Sequence, residues 1–137
     1  ANDVSAVEAA AAAFVTAHGT FDFRDPDGYT ARLAELTTVE RSDAIAGAAV
    51  DANAVALQRM TTVLVDSVLV TALSENAAIA AVRSRHERTR RDPATGRVIQ
   101  EHVMQHVTCR LVRRGERWLV SELLLRGEEA VVARGGH

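Results

Sequence analysis

The chain has 137 residues, of which 47% are hydrophobic and 25% charged, with a formal net charge of −2 at pH 7. These values describe one folded domain with its own core and exclude a disordered or low-complexity protein. No apolar run approaches the roughly 18 residues that cross a bilayer as a helix, no signal peptide is visible, and the single cysteine, Cys109, excludes an internal disulfide while leaving the compartment open.

Ser5-Ala6-Val7-Glu8 has capping-box spacing, and Val7, Ala11, Phe14, Val15 and His18 then share one helical face. A first helix over Ser5–His18 is expected, ended by Gly19. Thr20-Phe21-Asp22-Phe23-Arg24 reads as an aromatic connector whose two rings pack beneath the sheet or a helix. Asp25-Pro26 is an N-cap followed by proline at the first helical position, which predicts a short helix to Leu36 with Tyr29, Leu33 and Leu36 inward. Thr37-Thr38-Val39-Glu40 offers a second capping box. It opens an alanine-rich segment expected to be helical over Val39–Arg59, broken near Gly47.

From Thr61 the chain turns β-branched, and Thr61, Thr62, Val63, Val65, Val68, Val70 and Thr71 suit a long strand. Both faces of that strand are apolar, so a central or covered position is expected. Ser74-Glu75-Asn76 makes a turn into a second strand over Ala77–Arg90, and Asp92-Pro93-Ala94-Thr95-Gly96 forms a hairpin connection. In Val98–Arg113 the apolar residues Ile99, Val103, Val107 and Leu111 recur every fourth position, which satisfies helix and strand alike. Hairpin signals on both sides and the β-branched Val103, Val107, Thr108 and Val112 decide for strand. Arg114-Gly115-Glu116 reverses the chain into a last strand over Arg117–Leu125 that carries the only tryptophan, Trp118, expected as a core anchor. Residues 1–127 form one α+β domain with N-terminal helices on a curved antiparallel sheet of about four strands. Residues 128–137 read as a loose tail.

Charge is unevenly spread. Residues 1–80 carry four Arg against eleven Asp and Glu, and residues 81–137 carry twelve Arg against seven, so the halves stand at −7 and +5. Such a dipolar chain favours a charged partner or head-to-tail self-association. The densest cationic stretch is Arg83, Arg85, His86, Arg88, Arg90, Arg91 and Arg97. Strand alternation sends these side chains to both faces and no aromatics interleave, so specific nucleic-acid binding is not indicated. A solvated hairpin is the plain reading; contact with an acidic protein or anionic headgroups through Arg88, Arg90 and Arg91 is the functional one.

Asp66, between Leu64 and Val68, is the sharpest catalytic candidate, since an acid on an apolar face would have the raised pKa that suits general acid or base work, with Tyr29 as a hydrogen-bond donor. The favoured reading is plainer: Asp66 points to solvent or pairs with one of the arginines. His102 and His106 would share an ion on a helix, but on a strand they lie roughly 13 Å apart, so no metal site and no cofactor are expected. His86, on the partner strand, could approach one of them. Asp22, Asp25 and Asp27 read as turn and capping residues, and Cys109, alternating with Val107 and Leu111, as a small core residue.

The order of one long helix, shorter helices and a meander ending in Arg117-Trp118-Leu119-Val120 resembles the nuclear-transport-factor-like (cystatin-like cone) superfamily. Within it, Phe21-Asp22-Phe23-Arg24, Pro26-Asp27-Gly28-Tyr29 and Arg32-Leu33 to Thr37-Thr38 are similar to the extracytoplasmic domains of VirB-type or TcpC-like scaffold proteins of conjugative type IV secretion, and also to Mce-associated membrane proteins of lipid-transport systems. The resemblance covers Ser5–Leu125. It implies a non-enzymatic scaffold on the outer side of the cell membrane, held by an N-terminal anchor outside this sequence, which begins at Ala1, and bound to other proteins of an envelope complex or to copies of itself. The rival of the same fold is a small isomerase or dehydratase using Asp66 in a cavity between helices and sheet, and a third reading is a small-ligand or lipid-binding module.

Overall fold

The computed structural model describes residues 2–40 and 55–131. Helix α1 (Asn2–Gly19) is followed by the two-residue strand β1 (Phe21–Asp22), helix α2 (Pro26–Ala34), and four long strands: β2 (Met60–Leu73), β3 (Ala77–Arg91), β4 (Val98–Arg114) and β5 (Arg117–Ala130). The strands form one antiparallel sheet in the order β1-β2-β3-β4-β5, each beside its neighbour in the chain. The sheet curls strongly around α1 as a half-barrel, giving the expected α+β cone.

The curl has a visible cause. Each strand flanking the central β3–β4 pair contains two extra residues, Asp66 and Thr71 in β2, Ser121 and Arg126 in β5, where two residues face one on the partner. A bulge bends its strand and increases local twist. It also shifts the phase of the side chains, which is why Val63 and Val65 on one side of Asp66, and Val68 and Val70 on the other, all pack against the core.

The concave face is lined by Ala78, Ala80 and Val82 of β3, Val107, Cys109 and Leu111 of β4, and Trp118 and Val120 of β5. Against it lie Val7, Ala11, Phe14 and Val15 of α1 and Tyr29 and Leu33 of α2. Small side chains on β3 leave room for the helix, and burial of this shared apolar surface is the main force holding the layers together. Gly96 (φ 73°) and Gly115 (φ 65°) take the left-handed conformation at the tips of the β3–β4 and β4–β5 hairpins, where a side chain would be strained. The Asp92 carboxylate accepts the Ala94 N–H at 2.9 Å and sharpens the first of these turns.

Several sequence expectations change. Helix α1 begins at Asn2, so Ser5 lies inside it and is not its cap; an interior serine costs too little to stop a helix whose apolar face packs on a sheet. The second helix does start as expected, with Asp25 accepting the Gly28 N–H at 3.0 Å. The aromatic connector is partly a strand, since Phe21 and Asp22 pair with Thr61 and Met60. The Phe21 ring meets Tyr29 edge-on at 5.2 Å.

The helix expected over Val39–Arg59 falls mostly outside the described residues; at its far end Gln58 has φ 53° and Arg59 is no longer helical. Thr37 does not open that segment as a cap. Its hydroxyl bonds the Leu33 carbonyl at 2.9 Å, while Thr38 N–H and Leu36 C=O pair with Val120, so this stretch lies along the edge of β5. Strand β2 is not covered on its outer side, where Leu64 and Leu69 are 59% and 65% exposed. The last strand runs beyond Leu125 to Ala130, so Glu128–Ala130 are not tail but pair with Val103–Gln105.

Trp118 is 7% exposed within the core cluster. Its replacement by alanine is expected to cost about 3–5 kcal/mol, read as a fall in the urea midpoint with unchanged slope; full retention of stability would remove Trp118 from the core.

Candidate functional site

The concave face is apolar under α1 and becomes polar toward the β3–β4 hairpin. Alternation along β3 carries the inward row from Ala78, Ala80 and Val82 to Ser84, His86, Arg88 and Arg90. The partner strand places Val103, Gln105 and Glu101 opposite His86, Ser84 and Arg88. Ser84 and His86 are both buried and joined through Oγ and Nε2 at 2.8 Å. The Gly19 backbone sits against His86, so close that a Cβ there would lie 2.9 Å from the imidazole Cε1 and from Val63. Helix α1 is held in this position by its own end: the Tyr29 hydroxyl donates to the His18 carbonyl at 2.7 Å, and the His18 ring stacks on Phe14 at 5.6 Å.

Beyond His86 the row becomes charged. Arg88 pairs with Glu128 of β5, and the Gln105 amide donates to the same carboxylate oxygen at 3.1 Å. The Gln105 amide first, and the Arg88 guanidinium with it, holds the Glu128 carboxyl below its ordinary range. His86 is shifted the other way. Burial, reinforced by the positive charges of Arg88 and His18 and opposed by Glu128, lowers its pKa and keeps the imidazole neutral.

At the mouth of the cone, Arg59, Thr61, Arg88, Thr89, Arg90 and Glu101 line a recess of about 350 Å³. Arg90 Nε lies 3.7 Å from Glu101, a loose ion pair in which both partners remain substantially exposed.

The three arginines expected to contact a partner therefore separate. Arg88 and Arg90 share the concave face. Arg91 does not join them: its guanidinium bonds Gln58 Oε1 at 3.1 Å and the Gly96 carbonyl at 2.6 Å, and its N–H bonds the Leu57 carbonyl at 2.7 Å. It holds the turn region to the chain before β2, so reversing its charge would damage local structure.

Asp66 and Tyr29 are not brought together. Asp66 is a bulge residue on the convex side, its carboxylate held by Arg85 Nε and terminal nitrogen at 3.1 and 2.9 Å. The apolar setting suggested by Leu64 and Val68 dissolves because the bulge puts those two residues on opposite faces. Tyr29 lies in the core, where burial pushes its hydroxyl pKa up to about 12. The general-acid reading built on this pair loses its geometry.

His102 and His106 face outward opposite Glu87 and Arg83, away from the inward His86. Among the described residues no group of three metal-binding side chains converges. Cys109 is buried, and its thiol pKa is raised to about 12 by that burial. Asp22 binds Arg24 at 2.7 Å and Asp25 caps α2, as turn and capping residues do.

The sequence reading missed Glu128 and Arg59, and it placed His86 in the cationic stretch or near His102 and His106, not as the buried partner of Ser84. The signal for His86 was present in the alternate residues Ala78, Ala80, Val82 and Ser84, a buried row that ends on the histidine. Glu128 carried no such signal, because it joins Arg88 through a part of β5 that the local sequence pattern reads as tail.

No family model matches this chain, and no curated protein sequence matches it either. Solved structures do. An NTF2-like protein involved in plasmid conjugation aligns with TM-score 0.66 and 11% identity, covering 90% of this chain but only 49% of its own, so this chain spans about half of that protein's length. An IcmL-like type IV secretion system protein from Legionella pneumophila subsp. pneumophila str. Philadelphia 1 aligns with TM-score 0.57 and 13% identity over 97% of this chain and 95% of its own. A periplasmic fragment of TraM gives TM-score 0.55 and 10% identity over 91% and 96%. The intermembrane space region of chloroplast protein ARC6 is also similar, with TM-score 0.57 and 12% identity over 82% and 90%. At these identities the likeness is one of fold, and the fold is the nuclear-transport-factor-like cone.

His86 gives the site a pH signature. Its folded pKa lies below the ordinary 6.5, so the unfolded chain takes the proton first. Stability is then complete above that value and declines as pH falls from it toward the folded pKa. The Glu128 contribution is lost separately, below its ordinary 4.5. Urea midpoints at pH 7.5 and 5.5 should fall for the natural chain and fall less for His86→Gln; equal falls would show that His86 is not the group responsible.

Proposed function

We propose that this domain is a non-enzymatic assembly module of a cell-envelope transport complex, most like a component of conjugative type IV secretion, acting by protein contacts on the extracytoplasmic side of the membrane. The observation that carries the reading is the match over nearly the whole chain to a type IV secretion protein, alongside similar matches to a conjugation protein and to a periplasmic fragment. Among the described residues no helix is long and apolar enough to cross a membrane; the membrane anchor in this reading is the one the family resemblance implies.

The geometry supports contacts as the mode of action. The curled sheet and α1 make a stiff support, and the concave mouth presents Arg88 and Arg90 on one rim while the outer side of β2 presents Leu64 and Leu69. The acid on which an isomerase or dehydratase would have relied is tied to Arg85 on the other side of the sheet.

The test is fractionation of the full-length gene product, with protease accessibility in intact spheroplasts and in-cell crosslinking. Recovery in the membrane fraction, cleavage from outside and crosslinks to other envelope proteins are expected. A cytoplasmic protein shielded from external protease would overturn the reading.

A further inference from the structure

The recess at the mouth of the cone holds more positive charge than the fold uses. Met60, the first residue of β2, pairs with Thr89, and the residue before it, Arg59, lines the recess together with Arg90. Like charges held close together are destabilising. Arg90 has the loose contact to Glu101 at 3.7 Å. Arg59 is only partly exposed, and its side chain makes no hydrogen bond or ion pair among the described residues. Nearby arginines are spent differently: Arg85 on Asp66, Arg88 on Glu128 and Arg91 on Gln58 and Gly96. Arg59 without a side-chain partner among the described residues and Arg90 with one loose pair, both lining a recess of about 350 Å³, are an arrangement that an incoming anion would complete.

We propose that this recess binds an acidic, extended peptide segment of a partner protein, with one carboxylate gripped between Arg59 and Arg90. Arg88 lies two residues from Arg90 on the same face of β3, roughly 7 Å along the strand. That is the spacing of side chains i and i+2 in an extended peptide, so a second acidic residue can meet Arg88 beside Glu128. Thr61, opposite Arg88 on the concave face, lines the same recess and offers a hydroxyl to a peptide backbone. The excess is modest, three arginines against Glu101 in the lining and Glu128 beneath it, which matches carboxylates better than a multiply charged phosphate group. The recess volume is at the lower end of ligand pockets, about 300–1,000 Å³, enough for a short peptide stretch. The proposal rests on the protein-contact reading above and adds the chemistry of the partner.

The experiment is calorimetric titration of the chain at low salt with a hexaglutamate peptide, compared with Arg59→Gln, Arg90→Gln and the convex-face control Arg83→Gln. The peptide should bind the natural chain and the control equally, and each recess variant should weaken binding about ten-fold, the effect of losing one charge-assisted contact. A second readout separates function from folding. Because the two guanidiniums repel, Arg59→Gln should raise the thermal midpoint while lowering affinity, whereas a structural arginine would lower it.

Absence of peptide binding, equal weakening by Arg83→Gln, or a lowered midpoint with unchanged affinity would each overturn the proposal. Displacement of the peptide by inorganic phosphate at low millimolar concentration would overturn the peptide assignment in favour of a small oxyanion. A cytoplasmic protein that still bound the peptide through Arg59 and Arg90 would retain the recess and lose only the envelope reading.

Discussion

The structure depends on one constraint: a flat sheet cannot bury a single helix from several sides, so this sheet has to curl. The curl is concentrated at four extra residues, Asp66, Thr71, Ser121 and Arg126, placed two on each strand that flanks the regular β3–β4 pair. All four are polar, and each side chain bonds back to the neighbouring strand: Asp66 to Arg85, Thr71 to the Ile79 carbonyl, Ser121 to the Arg110 carbonyl and Arg126 to the Thr108 hydroxyl. A bulge leaves backbone groups poorly paired, and these side chains fasten the partner at that point. They also pin the register, since sliding either flanking strand by one residue would break both of its fastenings and turn its valines or leucines outward.

The same four residues explain what could and could not be read from the sequence. Turns were legible because their chemistry is local: Asp92-Pro93 with Gly96, Ser74-Glu75-Asn76 and Gly115 mark them without reference to anything distant. The inward face of α1 and the cap at Asp25 were legible for the same reason. For Asp66 the plainer reading, a pairing with an arginine, agrees with its contact to Arg85; what could not be read is the bulge itself, because strict alternation puts Asp66 in line with Leu64 and Val68 and nothing local announces the extra residue. The end of β5 was misread because Arg126, Gly127, Glu128 and Glu129 look like a solvated tail, yet their pairing with β4 and the Arg88–Glu128 contact hold them in the sheet. Such contacts join residues forty positions apart, beyond the reach of any local pattern.

The acidic and the basic half of the chain meet in two ion pairs among the described residues. Asp66 of the first half meets Arg85 of the second, and Asp3 meets Arg113. Within the basic half, Glu101, Glu122 and Glu128 each face an arginine. These pairs are mostly exposed and individually worth little, and those within the basic half leave its net charge unchanged. The net imbalance of a segment is thus a poor guide to what it binds; the arrangement around Arg59 matters because it is the local exception.

The order of the strands also has a kinetic meaning. Every strand lies beside the one made just before or after it, with no crossover to wait for, so the sheet can zip hairpin by hairpin along the chain and most of the search is short-range. The helix is in the opposite position. Val7, Ala11, Phe14 and Val15 are synthesised first, but the surfaces that cover them come from β2 through β5. Until those strands have closed, the newborn chain carries its most apolar helical stripe uncovered, and the step that ends its exposure to unwanted association is the docking of its first element onto its last.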